Sequence, residues 1–172
     1  MTFSSRRITL LAILSTLAFV GRILMQPLPN IQPVTAILVI ISLTLTTIDG
    51  LIIACLSILL SNIYLGMGPW TIFQILTFSI LIMFTGIFFK RLYQPKNTYN
   101  RLIFALYCFV LGLVYGFIIS IFSVYLFKAP SFWGYYVQGI SFDLLHGIGN
   151  FVFYLLLEPI LQPIIYKQSL SQ

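Results

Sequence analysis

The chain has 172 residues, of which 60% are hydrophobic and only 7% are charged. Soluble domains carry about 25% charged residues, so nine basic and three acidic side chains are too few for the surface of a water-soluble fold of this length. Lipid is therefore the main solvent, and at about 20 residues per span the chain has room for six membrane helices. We predict an all-α membrane protein, a bundle of six transmembrane helices that forms a single integral membrane domain over residues 1–172.

The first three predicted spans are separated by a proline-rich loop and by a tight turn. Apolar runs place them at residues 8–25, 33–48 and 51–64. The second and third runs are short, so these two segments either are irregular or reach only partway across before re-entering. Pro27 and Pro29 lie in the loop at 26–32 and break the first helix. Asp49 and Gly50 are predicted to form the turn between the second and third spans, because this pair favours tight turns.

The last three predicted spans follow a loop rich in glycine and a polar connector. The loop at 66–71 precedes the fourth span at 72–89, and the polar connector at 90–101 precedes the fifth at 102–127. The sixth span is predicted at 137–166, where Pro159 and Pro163 are expected to kink or end its last turns.

The basic residues predict the orientation in the membrane. They lie at the ends of the apolar runs and form no nucleic-acid-binding groove. With the amino terminus in the cytoplasm, seven of the nine basic residues lie inside, and only Arg22 and Lys128 lie outside. We predict a bacterial cell membrane protein with both termini cytoplasmic. The seven inner residues are Arg6, Arg7, Lys90, Arg91, Lys96, Arg101 and Lys167.

The sixth span carries a polar stripe. Gly139, Asp143, His146 and Asn150 are spaced by four, three and four residues, so they share one helical face. Polar groups in lipid are costly unless they have partners, which makes this face either a ligand-binding surface or a hydrogen-bond network that packs helices. One histidine, one aspartate and one asparagine provide few ligands for a metal ion, and no metal site is predicted.

Two further polar sets flank the loops at 26–32 and 66–71. Asparagine and glutamine amides donate and accept hydrogen bonds without a charge, which suits a neutral or zwitterionic organic ligand. Trp70 is either a wall that stacks on a ring or an anchor at the membrane interface. The predicted substrate-binding residues are Asn30, Gln32, Thr35, Asn62, Trp70, Gln74, Asp143, His146 and Asn150.

Several catalytic motifs are missing from the sequence. It has no GxxxxGK[ST] phosphate-binding loop, so ATP hydrolysis by this chain is not expected, and it has neither GxSxG nor HExxH. With three acidic residues and one histidine, an enzyme is not predicted. Asp143 and His146 leave open a self-sufficient proton-linked carrier, and an accessory membrane protein with a purely structural stripe is a further alternative.

Two segments carry a resemblance to a known family. The segment P-N-x-x-P-V-T-A at residues 29–36 follows the first span, and G-x-G-P-W-T-x-x-Q at 66–74 opens the fourth. Both resemble segments of the S-components of energy-coupling factor (ECF) vitamin transporters, most closely the cobalamin-type group. The resemblance implies a six-helix bundle that binds a vitamin from outside. It also implies assembly with a transmembrane T subunit and two cytoplasmic ATPases, which alone use ATP, and no permanently bound cofactor.

The resemblance also bears on docking and on the ligand. The family's first helix has an Ala-x-x-x-Ala motif that docks the T subunit, and here small residues at Ala12, Ser15 and Thr16 permit close helix approach.

Cobalamin is the first expectation for the ligand, since neutral amides suit a large, amide-decorated molecule. Pantothenate, folate and a thiamin precursor are the alternatives. A carboxylate on the ligand would prefer a basic partner, for which only Arg22 and Lys128 are near the outer side.

Overall fold

The computed structural model describes residues 4–170, with side chains up to residue 168. This part of the chain contains six α-helices and no β-strand. A π-helical segment, Thr85–Phe89, and a 3₁₀ turn, Lys90–Leu92, extend the fourth helix. The helices are α1 (Ser5–Leu24), α2 (Val34–Thr44), α3 (Thr47–Leu65), α4 (Trp70–Phe84), α5 (Thr98–Phe127) and α6 (Phe132–Leu170).

Five of the six helices are long and apolar enough to cross a membrane, and α2 is not. The 11 residues of α2 span about 16 Å at 1.5 Å per residue, roughly half of the hydrocarbon core. Every residue from 34 to 43 is buried, so the other helices enclose α2. The all-helical bundle is confirmed. The predicted second span at 33–48 corresponds to α2, which reaches only partway across, one of the two alternatives left open for a run this short, and its predicted end at 48 is wrong.

The predicted turn at Asp49 and Gly50 is also wrong. Thr46 caps α3: its hydroxyl accepts from the Asp49 N–H at 3.2 Å, and the Asp49 carboxylate accepts from the Thr46 N–H at 3.3 Å. This reciprocal capping satisfies amides that a helix start leaves free, so α3 begins at Thr47 and includes Asp49 in its first turn. The chain instead turns at Leu45, whose backbone is extended.

Helix α6 is longer than predicted at both ends. It begins at Phe132 and runs to Leu170 without ending at Pro159 or Pro163. Each proline removes one N–H donor, a loss that transmembrane helices tolerate when neighbouring helices hold the segment. The buried Leu161 and Ile165 provide that packing on the same segment.

Helices α5 and α6 approach each other at a glycine crossing. A Cβ added to Gly112 would lie 2.7 Å from the Cα of Gly147, so the two backbones are in contact. Small residues permit such close approach, which drives helix association in lipid through dispersion. One turn further along α5, the Asp143 carboxylate packs directly over Gly116. The crossing therefore fixes the position of the polar stripe of α6.

The bundle has two chemically different ends. At one, which we call the basic end, Arg7 pairs with Asp49 at 2.6 Å and Lys90 donates to the carbonyl of Leu45. The start of α1 and the end of α6 lie together there and line one groove. The opposite end, which we call the loop end, carries the α1–α2 connection at 25–33 and the α3–α4 connection at 66–69.

A candidate ligand site at the loop end

His146 connects α6 to the α1–α2 connection and to α2. Its Nδ1 lies 3.0 Å from the carbonyl oxygen of Asn30, and its Nε2 lies 3.1 Å from the hydroxyl of Thr35. The Asn30 amide in turn donates to the backbone carbonyl of Phe142 at 2.9 Å. Asn30 has a φ of 56°, a left-handed conformation that asparagine adopts more readily than most residues. The three predicted residues Asn30, Thr35 and His146 thus form one hydrogen-bonded group.

A second polar group joins the ends of α1 and α3 to the start of α4. The Asn62 amide donates to the Gln74 side-chain oxygen at 2.8 Å and to the Thr71 hydroxyl at 3.0 Å. Arg22 donates from Nη1 to the Ser61 hydroxyl at 2.6 Å and from Nη2 to the same Gln74 oxygen at 3.5 Å. The predicted residues Asn62 and Gln74 therefore share a network with a buried guanidinium.

Tyr115 on α5 lies between these two groups. Its ring centroid is 5.3 Å from that of His146 and 4.7 Å from that of Phe78. Arg22 and Asp143 both lie near it. The tyrosine ring thus packs against the first polar group and lies near Arg22 of the second.

Two residues of the α6 stripe carry buried polar atoms without partners. Both polar atoms of Asn150 and one carboxylate oxygen of Asp143 are buried and accept or donate no hydrogen bond within the described residues. Each such atom costs about 1–3 kcal/mol, so sites of this kind are expected to receive a ligand or water. Gly139, one turn nearer the α5–α6 connection, borders open space. The stripe therefore runs from the uncrowded position at Gly139 to unpartnered polar atoms inside the bundle.

Other predicted residues lie apart from this network. Trp70 is 42% exposed, and its ring covers Gly68, while Gln32 is half-buried. Of the predicted docking residues, Ala12 and Thr16 are exposed on α1, whereas Ser15 is only 2% exposed. In the isolated chain, Ser15 therefore faces the bundle interior.

Arg22, Ser61 and Tyr115 belong to the site but were not among the substrate-binding residues predicted from the sequence. Arg22 did carry a signal, since a charge inside an apolar run needs a partner or a function. Ser61 and Tyr115 carried none, because the chain has 10 tyrosines and many small hydroxyl residues in its helices.

A family model described as "ECF transporter, substrate-specific component" matches residues 6–158, which is most of the chain. The chain belongs to this family. It is thus an S-component, a substrate-binding subunit that partners with ECF T and ATPase modules, and the family is a transporter component and not an enzyme family. Comparisons with curated proteins and with solved structures gave no match.

Proposed function

We propose that this S-component is the high-affinity substrate-binding subunit of an ATP-driven vitamin importer, and that it captures its vitamin at the loop end. The observation that carries the proposal is the convergence of buried polar side chains at one end of an otherwise apolar bundle. Such groups are costly in lipid and occur where they bind substrate or pair with one another. The residues proposed to contact the ligand are Asn30, Gln32, Thr35, Asn62, Trp70, Gln74, Asp143, His146 and Asn150.

Cobalamin is the first candidate ligand. Its periphery carries many amides, which side-chain amides such as Asn62, Gln74 and Asn150 match as both donors and acceptors. Both polar atoms of Asn150 and one carboxylate oxygen of Asp143 lack partners, which leaves capacity for a ligand's hydrogen bonds. Pantothenate, folate and a thiamin precursor are the alternatives.

The orientation and the partners complete the proposal. The loop end faces the cell exterior and both termini face the cytoplasm, because this arrangement places seven of nine basic residues inside. Helix α1 docks the T subunit through the small-residue patch at Ala12, Ser15 and Thr16. Two cytoplasmic ATPases supply the energy, and this chain carries no permanently bound cofactor.

Reconstitution in liposomes tests this function. We expect uptake of a radiolabelled vitamin only when the chain is combined with its T subunit and both ATPases. Uptake should also require ATP on the side of the membrane that carries the ATPases. A complex whose ATPases lack their phosphate-loop lysine is the control and should give no uptake. Uptake by this chain alone under a proton gradient would contradict the proposal and would support a proton-linked carrier that uses Asp143 and His146.

A further inference from the structure

Arg22 is a buried cation with unused hydrogen-bonding capacity. It lies near the end of α1 and is only 9% exposed. Its Nη1 donates to the neutral hydroxyl of Ser61, and its Nη2 lies 3.5 Å from the neutral side-chain oxygen of Gln74, a long hydrogen bond. Its Nε has no acceptor. A guanidinium offers five N–H donors, so these two contacts leave most of them unused.

Two of the three carboxylates of the chain are engaged at the basic end. Asp49 pairs with Arg7 at 2.6 Å, and Glu158 accepts from the Tyr93 hydroxyl at 2.5 Å. Neither is available to Arg22, which lies at the opposite end of the bundle.

The third carboxylate, Asp143, is at the loop end but does not pair with Arg22. Among the side chains from residue 4 to residue 168, no carboxylate lies within 4.0 Å of Arg22. The Asp143 carboxylate packs against Gly116, and Tyr115 lies close to both charged groups. Within the described part of the chain, Arg22 therefore has no ion-pair partner.

A buried charge without a counter-ion costs several kcal/mol, so its presence needs a cause outside the chain's own contacts. A guanidinium presents its donors in a planar fork that matches the two oxygens of a carboxylate or a phosphate. Ser61 and Gln74 accept from the two Nη atoms of Arg22, and its Nε is buried without an acceptor.

We propose that Arg22 is the anion-binding residue of the ligand site, and that the transported vitamin carries an oxyanion group, a carboxylate or a phosphodiester, which accepts from Arg22. The inference rests on the proposed function and narrows its ligand. Cobalamin supplies the group through the phosphodiester of its nucleotide loop, and pantothenate and folate supply it through carboxylates. A neutral thiamin precursor supplies none.

Calorimetric titration of the detergent-purified chain tests the inference with matched ligand pairs. Cobalamin is compared with cobinamide, which lacks the nucleotide loop together with its phosphodiester, and pantothenate with pantothenol, in which an alcohol replaces the carboxylate. Folate, riboflavin and thiamin complete the panel. For the pair whose anionic member binds the chain, the neutral member should bind about 100-fold more weakly or worse, as for other buried charge pairs that lose one partner. Arg22→Gln should weaken the anionic member equally and leave the neutral member unchanged.

The matched control is Lys128→Gln. Lys128 is the other basic residue predicted on the outer side, but it is exposed at the end of α5, so its loss should leave both affinities unchanged. If Arg22→Gln fails to fold, Arg22→Lys retains the charge without the planar fork and should weaken the anionic member at least about tenfold.

The outcomes separate the inference from the function. If no vitamin binds, the proposed function fails and the inference fails with it. Tight binding of riboflavin or another ligand without an oxyanion, or an anionic ligand that binds Arg22→Gln as tightly as the parent, overturns the inference alone. If Arg22 instead forms an ion pair with Asp143 in the ligand-free protein, both Arg22→Gln and Asp143→Asn should lower its melting temperature, and that result would contradict the inference. If Arg22 has no ion-pair partner, Arg22→Gln should leave the melting temperature of the ligand-free protein unchanged or raise it.

Discussion

Replacing His146 with alanine should destabilise the ligand-free protein more than replacing the more deeply buried Asn150. His146 is 3% exposed and makes two hydrogen bonds, to Asn30 and Thr35, whereas Asn150 is 0% exposed and makes none. Both substitutions remove a buried side chain and leave a cavity. Only His146→Ala also breaks hydrogen bonds, each of which contributes about 1 kcal/mol and leaves a buried partner unsatisfied.

The difference between the two variants is therefore about 2 kcal/mol. At roughly 2–4 °C per kcal/mol for a chain of this length, His146→Ala should melt about 4–8 °C below Asn150→Ala. The assay is thermal unfolding in detergent, followed by tryptophan fluorescence without ligand. A Thr35→Val variant, combined with His146→Ala in a double-mutant cycle, should show a coupling of about 1 kcal/mol. Equal melting temperatures, or a lower one for Asn150→Ala, would refute the hydrogen-bonding role given to His146.

Three further predictions concern packing, docking and topology. Gly112→Ala should destabilise the protein by about 1–3 kcal/mol, because its Cβ would lie 2.7 Å from the Gly147 backbone. The control variant Gly139→Ala places its Cβ in open space and should not destabilise the protein, so equal melting temperatures of the two variants would contradict the close crossing of α5 and α6. Ala12→Trp should block co-purification of the T subunit and ATPases while ligand affinity is kept, since close helix approach needs small side chains; recovery of a full complex would exclude this docking patch. A single cysteine that replaces Asn97 in a cysteine-free background should react with a membrane-impermeant thiol reagent only after the cells are opened. Labelling of this cysteine in intact cells would show that the orientation is the opposite of the predicted one.

Apolar runs and loop composition were enough to predict the bundle, but not its internal boundaries. The α2–α3 boundary was misplaced because Asp49-Gly50 has the composition of a turn, whereas the capping by Thr46 places both residues inside α3. Helix α2 is enclosed by the other helices, and the sequence did not show this because an apolar run looks the same whether lipid or protein surrounds it.

The candidate site was predictable where polar residues interrupt apolar sequence. The stripe of Asp143, His146 and Asn150 and the amides beside the loops were visible in the sequence for this reason. Their grouping was not, because His146 meets Asn30 across 116 residues of sequence, and such long-range contacts leave no local pattern. Arg22 was predicted to lie on the outer side, as one of two basic residues available to a ligand carboxylate. Its burial beside Gln74 was not predicted, since it depends on how α1 packs against α3 and α4.

Direct binding of a vitamin to the purified chain tests the central claim most simply. The measurement is equilibrium binding in detergent or nanodiscs to a panel of riboflavin, thiamin, biotin, folate, pantothenate and cobalamin, without any partner subunit or ATP. We expect one vitamin to bind saturably, with one molecule per chain and a Kd below about 1 μM, which corresponds to at least about 8 kcal/mol of binding free energy. Absence of binding by every vitamin at concentrations well above 1 μM, with protein shown to be folded by its melting transition, would contradict the account.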